Sequence, residues 1–357
     1  MRVCFAGAYD PAYPRNLIIR RGLAAAGVEV LEARVRERRA FFRYPALVEA
    51  MRLNAREADV IWVPEFRHKD VVVARLASRG QLLVFDPLVS RVDTLVEDWG
   101  LHARGSLQAR WNAWIDRVSM RSPDRVVCDT WAHGRLFESL GVPRERLIRA
   151  LVGAEDRFFE IAEPRPGDAV RVLYLGGFLP LHGTMHVVDA VACLEKQQGL
   201  PPFLVTLAGA GIEYDAARAA ASELRLERIR FPGRSDYADA PALLEASDVV
   251  LGAFGAGEKA GRVIPHKVYQ GLAAGRAVLS GDGEGVREVF EPGIHLDVVP
   301  RGDAVALAAG LARLIGDPAR RLALGREARR RCLEVATPRT IGAGLQAALE
   351  AALAETR

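Results

Sequence analysis

The chain predicts an α/β fold of two doubly wound domains. Three observations carry this: its length, a repeated alternation of short apolar strands with helical stretches, and a proline-containing break between two such alternations. At 357 residues it is too long for one ordinary domain and fits two of about 150 to 200 residues. Half of the residues are hydrophobic and 26% are charged, a composition that fills a core and excludes disorder as the main state. No uncharged apolar run approaches the roughly 18 residues of a spanning helix. The N-terminus enters the strand pattern Val3-Cys4-Phe5 without a basic leader, so a cytoplasmic protein is expected.

The opening RVCFAGAYDPAYPRNLIIRRGLAAAGVEVLEARV reads as strand, loop, helix and second strand. Leu17, Ile18, Leu23 and Ala26 recur near helical spacing, and Gly27 is the stop. Further strands fall at 58–63, 81–86 and 124–129 with helical patterns between them, which predicts a parallel sheet buried on both faces. Two prolines and a glycine in EIAEPRPGDA (160–169) suit an inter-domain connection, so the first domain is expected over 1–165. A second alternation, with strands at 170–177, 203–209, 228–233, 247–254, 276–282 and 295–299, gives a second domain over 166–335. From Pro300 onward the chain is Ala/Leu/Arg/Glu helix broken near Asp317-Pro318 and Thr337-Pro338. Residues 336–357 are therefore a candidate terminal helix that crosses back to the first domain.

Cys4, Cys128, Cys193 and Cys332 lie far apart in apolar stretches and are expected as buried free thiols, with no spacing for zinc or a redox pair. Residues 1–165 carry 27 Lys and Arg against 22 Asp and Glu, and the remainder 22 against 23, so the net charge of +4 comes from the first half. The loop after the first strand, Gly7-Ala8-Tyr9-Asp10, is not a GxGxxG fingerprint, and no GxxxxGK[ST] loop occurs. No nucleic-acid-binding module is present, and nucleic acid is not an expected partner.

Two such domains face one cleft with the carboxyl ends of their strands, where open α/β sheets bind ligands. The most informative rim segment is RVIPHKVYQGLAAGRAVLSGDGEGVRE (262–288). Pro265 suits the first turn of a helix, and Lys267 and Gln270 then share a face. A cation and a hydrogen-bonding amide point together from a helix start whose free N–H groups already favour anions, and a phosphate group is the natural ligand.

The pattern Pro265-x-Lys267-x-Tyr269-x-x-Leu272-Ala273-Ala274-Gly275-x-x-Val278, with Glu288 and the tail from Gly293 to Pro300, resembles the donor domain of retaining glycosyltransferases of family 4, within the glycosyl transferases group 1. YLGGFLPLHG (174–183), LAGAGIE (207–213), RFPGR (230–234) and ASDVVLGAFG (246–255) stand in that family's order, and the likeness covers nearly the whole chain. It implies a GT-B architecture, two Rossmann-like domains about a central cleft. It also implies a nucleoside-diphosphate-sugar donor as co-substrate, a hydroxyl acceptor (a glycan, a lipid-linked molecule or a small molecule), retention of configuration, and neither a cofactor nor a metal. The donor-binding residues it implies are Gly176, Gly177, His182, Gly211, Arg234, Glu258, Arg262, Pro265, Lys267, Gln270 and Glu288, with Lys267 stabilising the leaving diphosphate. The chain departs from the family where two glutamates eight positions apart are usual: here Arg262 and Gln270 stand.

In the first domain Asp10, Arg15, Asn16 and His68 follow strands and are candidate acceptor-binding residues. Asp86 and Asp93 are candidate catalytic carboxylates that would orient or deprotonate an acceptor hydroxyl. RVRERRAFFRYP (34–45), and the stretch of Trp111, Trp114, Ile115 and Val118 with its flanking arginines, suit peripheral contact with an anionic membrane on the cytoplasmic face. Beside the transferase reading stand a catalytically silent partner subunit of the same fold and a nucleotide-sugar epimerase.

Overall fold

The computed structural model of the protein describes residues 1–36, 39–165 and 167–356. Glu37 and Arg38 of the basic-aromatic segment, Pro166 of the expected connection and first residue of the expected second domain, and Arg357 of the expected terminal helix lie outside them. The chain divides into two compact units, one made of Met1–Gly153 together with the residues from Thr337 onward, the other of Ala154–Ala336.

The first unit is built on strands β1 (Arg2–Gly7), β2 (Glu29–Arg34), β3 (Val60–Val63), β4 (Leu82–Phe85), β5 (Arg125–Cys128) and β6 (Leu147–Arg149). They form one sheet in the order β2-β1-β3-β4-β5-β6, every pair parallel. Strands β3 and β4 are buried along their whole length because helices cover both faces, and β-branched and aromatic side chains fill both. Ile61, Val63, Leu83 and Phe85 join one cluster, while Phe5 stacks on Trp62 with ring centroids 5.7 Å apart. Strand β6 is missing from the sequence reading, since three residues carry no period.

The helix Pro338–Thr356 lies on the helix Pro14–Ala25. Their contact is so close that a Cβ on Gly22 would sit 2.2 Å from the Pro338 carbonyl oxygen, and one on Gly342 2.0 Å from that of Gly22. Only glycine permits this approach. Ala, Leu and Gly on the remaining turns make the return helix apolar enough to bury Ile341, Leu345 and Leu349.

The second unit carries β7 (Val170–Gly177), β8 (Phe203–Ala210), β9 (Ile229–Gly233), β10 (Val249–Leu251), β11 (Ala277–Gly281) and β12 (Asp297–Val299). The order β12-β11-β10-β7-β8-β9 is again all parallel. Counted within the unit, it is the doubly wound order 3-2-1-4-5-6 read backwards, with its switch point between β7 and β10.

The division falls at 153/154, twelve residues before the expected boundary at 165. Composition marks 160–169 as a linker, yet two arginines tie its start to the second unit. Arg276, fully buried, donates to the carbonyls of Leu244 and Ala162 (both 2.8 Å). Arg329 donates to Ala273 (3.0 Å), Ala274 (2.8 Å) and Ile161. Phe158 is buried as well. Of the four cysteines, Cys4, Cys128 and Cys332 are buried, but Cys193, near the end of the amphipathic helix Thr184–Glu195, is exposed, contrary to the expectation. No helix among the described residues is long and apolar enough to cross a membrane.

Candidate functional site

The second unit's switch point brings together the segments that follow β7 and β10. They are stitched by the Phe254 N–H donating to the His182 carbonyl and the Gly255 N–H to that of Leu181, both at 3.0 Å. Strand β7 ends in Tyr174-Leu175-Gly176-Gly177, and Tyr174 is fully buried. The Tyr174 hydroxyl donates to the Gly177 carbonyl, which also accepts from Nδ1 of His182. A carbonyl only accepts, so Nδ1 carries the proton and Nε2 of the neutral ring is an acceptor. Burial, then Lys267 and Lys259, hold the His182 pKa well below the usual histidine range. His182 therefore fixes this loop as a neutral ring, and the expected phosphate contact from it would require protonation first.

Lys267 enters from the helix His266–Ala273, whose first turn follows Pro265. Its ammonium lies 3.6 Å from the centroid of the Tyr174 ring, a cation–π contact. Gly176, at φ 139°, has no side chain, and a Cβ there would meet Lys267 Cε at 3.6 Å. Lys267 is 5% exposed and its Nζ has no hydrogen-bond partner among the described residues. Desolvation alone drives its pKa well below the usual lysine range. A buried ammonium that donates to nothing is an expensive arrangement, and an anion seated against it removes the cost.

One turn along the same helix, Gln270 Nε2 donates to the Tyr237 hydroxyl (3.2 Å), which donates to Glu155 Oε1 (2.7 Å). Arg157 lies 4.5 Å over the Tyr237 ring and 3.3 Å from the same carboxylate oxygen. The Gln270 amide nitrogen is thus engaged, and its carbonyl remains as an acceptor for a hydroxyl. Glu155 and Tyr237 went unread in the sequence: partners 82 residues apart leave no local spacing signal.

Gly176, Gly177, His182 and Lys267 are brought together. Pro265 and Arg262 are half-buried, as is Glu288 just after the short helix Glu284–Arg287. Gly211, Arg234 and Glu258 are exposed. Among the described residues no three His, Cys, Asp or Glu side chains converge to hold a metal.

In the first unit the expected acceptor-binding and catalytic residues are mostly buried. Arg15 and Asp86, each 1% exposed, form a two-pronged ion pair (2.8 and 3.1 Å), and Arg15 also donates to the carbonyls of Ala150 (3.0 Å) and Leu151 (3.2 Å). Four of the five Arg15 N–H groups are thus engaged, and Asp86 is committed to Arg15. His68 is sealed at 1% exposure with Nε2 3.0 Å from the Val89 carbonyl, and burial lowers its pKa to about 3. Asp93 is buried in the π-helical turn Asp93–Asp98. Asn16 Nδ2 donates to the Asp10 carbonyl (2.6 Å) and to Glu65 Oε1 (2.9 Å). Asp10 stays exposed at the mouth of a pocket. The stretch around Trp114 divides: Ile115 is buried, while Trp111 and Trp114 stack on each other in the open, 4.9 Å apart.

Comparison with known proteins places this architecture. Residues 156–331 match the family described as glycosyl transferases group 1. A phosphatidyl-myo-inositol mannosyltransferase of Mycobacterium leprae is 33% identical over 176 residues, 47% of this chain and 43% of that protein. The chain spans less than half the length of the curated relatives it matches. Among solved structures, HepE of Anabaena in complex with UDP and glucose aligns over 98% of this chain and 100% of its own, with a TM-score of 0.72 at 17% identity. Sucrose-phosphate synthase of Thermosynechococcus elongatus aligns over 99% and 100%, with a TM-score of 0.74 at 18% identity. The chain has the GT-B fold, and its second unit, over residues 156–331, matches the glycosyl transferases group 1 family.

Proposed function

We propose that the protein transfers a sugar from a nucleoside-diphosphate donor, held by the second unit, to a hydroxyl of an acceptor held by the first. The observation that carries this is Lys267, a buried ammonium without a hydrogen-bond partner, at the switch point of the unit that matches the family. In transfer the bond from the anomeric carbon to the diphosphate oxygen breaks, a bond to the acceptor oxygen forms, and the hydroxyl proton leaves with the product diphosphate. Negative charge grows on the departing diphosphate, and a preorganised cation in a water-poor site stabilises it without reorganisation. Of the three residues expected to be catalytic, Lys267 is the one that faces the leaving diphosphate in this reading. His182 and Tyr174 hold the loop in which the diphosphate sits, and Gln270 offers its carbonyl to a donor hydroxyl. Retention of configuration and independence of metal enter through the family resemblance. Exposed Phe41, Phe42, Trp111 and Trp114 supply the apolar surface for contact with a cytoplasmic membrane face if the acceptor is lipid-linked.

The test is a thermal-shift panel of nucleoside diphosphates and their sugar conjugates without added metal. A ligand that binds only the folded state raises its melting temperature, and at about a hundredfold over Kd this amounts to about 2.7 kcal/mol. One nucleotide series should shift wild type and fail to shift Lys267→Ala. No shift from any nucleotide at millimolar concentration would remove the donor reading.

One second reading has its own support. Arg262 and Gln270 stand where the resemblance expects two glutamates, and the Gln270 amide is engaged by Tyr237, which favours a silent subunit of the same fold. Hydrolysis or transfer of a donor sugar by the purified chain alone would set that reading aside.

A further inference from the structure

A second cluster of unneutralised positive charge lies in the first unit, at the carboxyl ends of β1, β2 and β3. A pocket of about 600 Å³ opens there, bounded by Ala8 and Asp10 after β1, Arg34 and Arg36 at the end of β2, Arg43, and Arg67 after β3. Among the described residues, four guanidinium groups and one carboxylate line it. Asp10 Oδ1 is occupied by the Ala12 N–H (2.9 Å) in its own turn. Arg43 has a partner behind the pocket wall, Asp70, at 3.0 Å. Among the described residues Arg34, Arg36 and Arg67 form no ion pair, and the buried Nε of Arg67 donates to nothing. The sheet order reverses between β1 and β3, so this pocket stands at the first unit's own switch point, where ligands of open α/β sheets bind.

We propose that this pocket binds the phosphate group of a phosphorylated ligand, the acceptor if the transferase reading holds. Three free forks that match phosphate oxygens bidentately, within a volume suited to a sugar-sized molecule, favour a phosphate monoester or diester over a neutral glycan. Arg34 and Arg67 come from different strand ends and converge on one space, so the phosphate is fixed between loops and its organic part extends past Asp10 toward the opening.

This inference rests on the transferase reading only for the word acceptor, and its test is independent of the nucleotide. Isothermal titration with glucose 6-phosphate, inorganic phosphate and glucose is carried out on wild type, Arg34→Gln/Arg67→Gln and the charge-preserving Arg67→Lys. The phosphate compounds should bind and glucose should not, with at least a tenfold loss in the double variant and a smaller one in Arg67→Lys. Sedimentation with phosphatidylcholine vesicles, with or without phosphatidic acid, asks whether the phosphate belongs to a lipid. Sedimentation that needs both phosphatidic acid and the two arginines assigns a lipid phosphate, and binding in solution alone assigns a soluble phosphate ester. Phosphate binding that is absent, or that survives in a double variant with wild-type melting temperature, overturns the proposal. A nucleotide shift in the second unit that persists while phosphate binding fails would leave the transferase reading standing. The reverse result would keep the anion pocket without it.

Discussion

The two units bury charge in opposite ways. In the first, Arg15 is matched to Asp86, His133 Nδ1 lies 2.6 Å from Asp129, and Asp116 accepts from Ser90 Oγ and two backbone N–H groups at 2.7 to 2.9 Å. In the second, the buried Lys267 has an aromatic face and nothing that accepts a hydrogen bond. A matched buried pair is costly to break, because removing one partner strands the other. An unmatched buried charge is a standing cost to the free protein, and that cost returns as affinity when the missing counter-charge arrives. Burial alone therefore does not mark a functional residue; what marks it is whether its partner is part of the chain.

The largest expected effect is on the matched side. Asp86→Ala should lower unfolding stability by about 3 to 5 kcal/mol in urea denaturation, because Arg15 stays buried without its counter-charge. A loss below about 1 kcal/mol would mean that the Ala150 and Leu151 carbonyls carry Arg15 by themselves. On the unmatched side, Lys267→Ala should weaken binding of the cognate nucleoside diphosphate by about a hundredfold, roughly 2.7 kcal/mol, with an unliganded melting temperature equal to or above wild type. A large fall in melting temperature would show that Lys267 is structural.

The same contrast has a pH signature. Lys267 is held below its ordinary pKa in the free protein, so the folded state binds fewer protons there than the unfolded chain, and its contribution to stability rises with pH. A bound diphosphate favours the charged form and raises that pKa again. Binding should therefore take up as much as about one proton and tighten as pH falls, by at most about 1.4 kcal/mol per unit. Calorimetry in two buffers of different ionisation enthalpy reads this directly, and buffer-independent heats would contradict it.

The smallest effect sharpens the contrast from inside the first unit. Glu65 is 2% exposed, Oε1 holds Asn16 and Oε2 has no partner; burial first, then Asp86, raises its pKa to about 8. The folded state thus keeps a proton that the unfolded chain releases at the ordinary carboxylate pKa, so stability falls as pH rises from about 4.5 to 8. Glu65→Gln should flatten that slope, by less than about 1.4 kcal/mol per unit, in melting curves taken from pH 5 to 9. An unchanged slope would assign it to another group.

Much of this was legible in the sequence. Period and punctuation gave eleven of the twelve strands among the described residues to within a few residues, and Pro265 with Lys267 and Gln270 marked the helix that carries the unmatched cation. Long-range pairing was not legible. That Arg15 meets Asp86, 71 residues away, or that Tyr237 bridges Gln270 and Glu155, follows from strand order rather than local spacing. The same limit hid the arginine pocket, because Arg34 and Arg43 flank one strand-to-helix connection and Arg67 comes from another. In a chain with 49 basic residues, position along the sequence does not distinguish them from solvated surface.

The crossing of Gly22 and Gly342 has a consequence for the order in which the molecule is made. The second unit is one continuous stretch and is able to fold as soon as it leaves the ribosome. The first unit must keep the groove along Pro14–Ala25 open until its covering helix, Pro338–Thr356, has been synthesised, some 180 residues after the unit's first segment ends at Gly153. A nascent chain stalled near residue 336 would thus present a finished second unit beside a first unit whose apolar groove is bare, a segment on which a holdase chaperone would act.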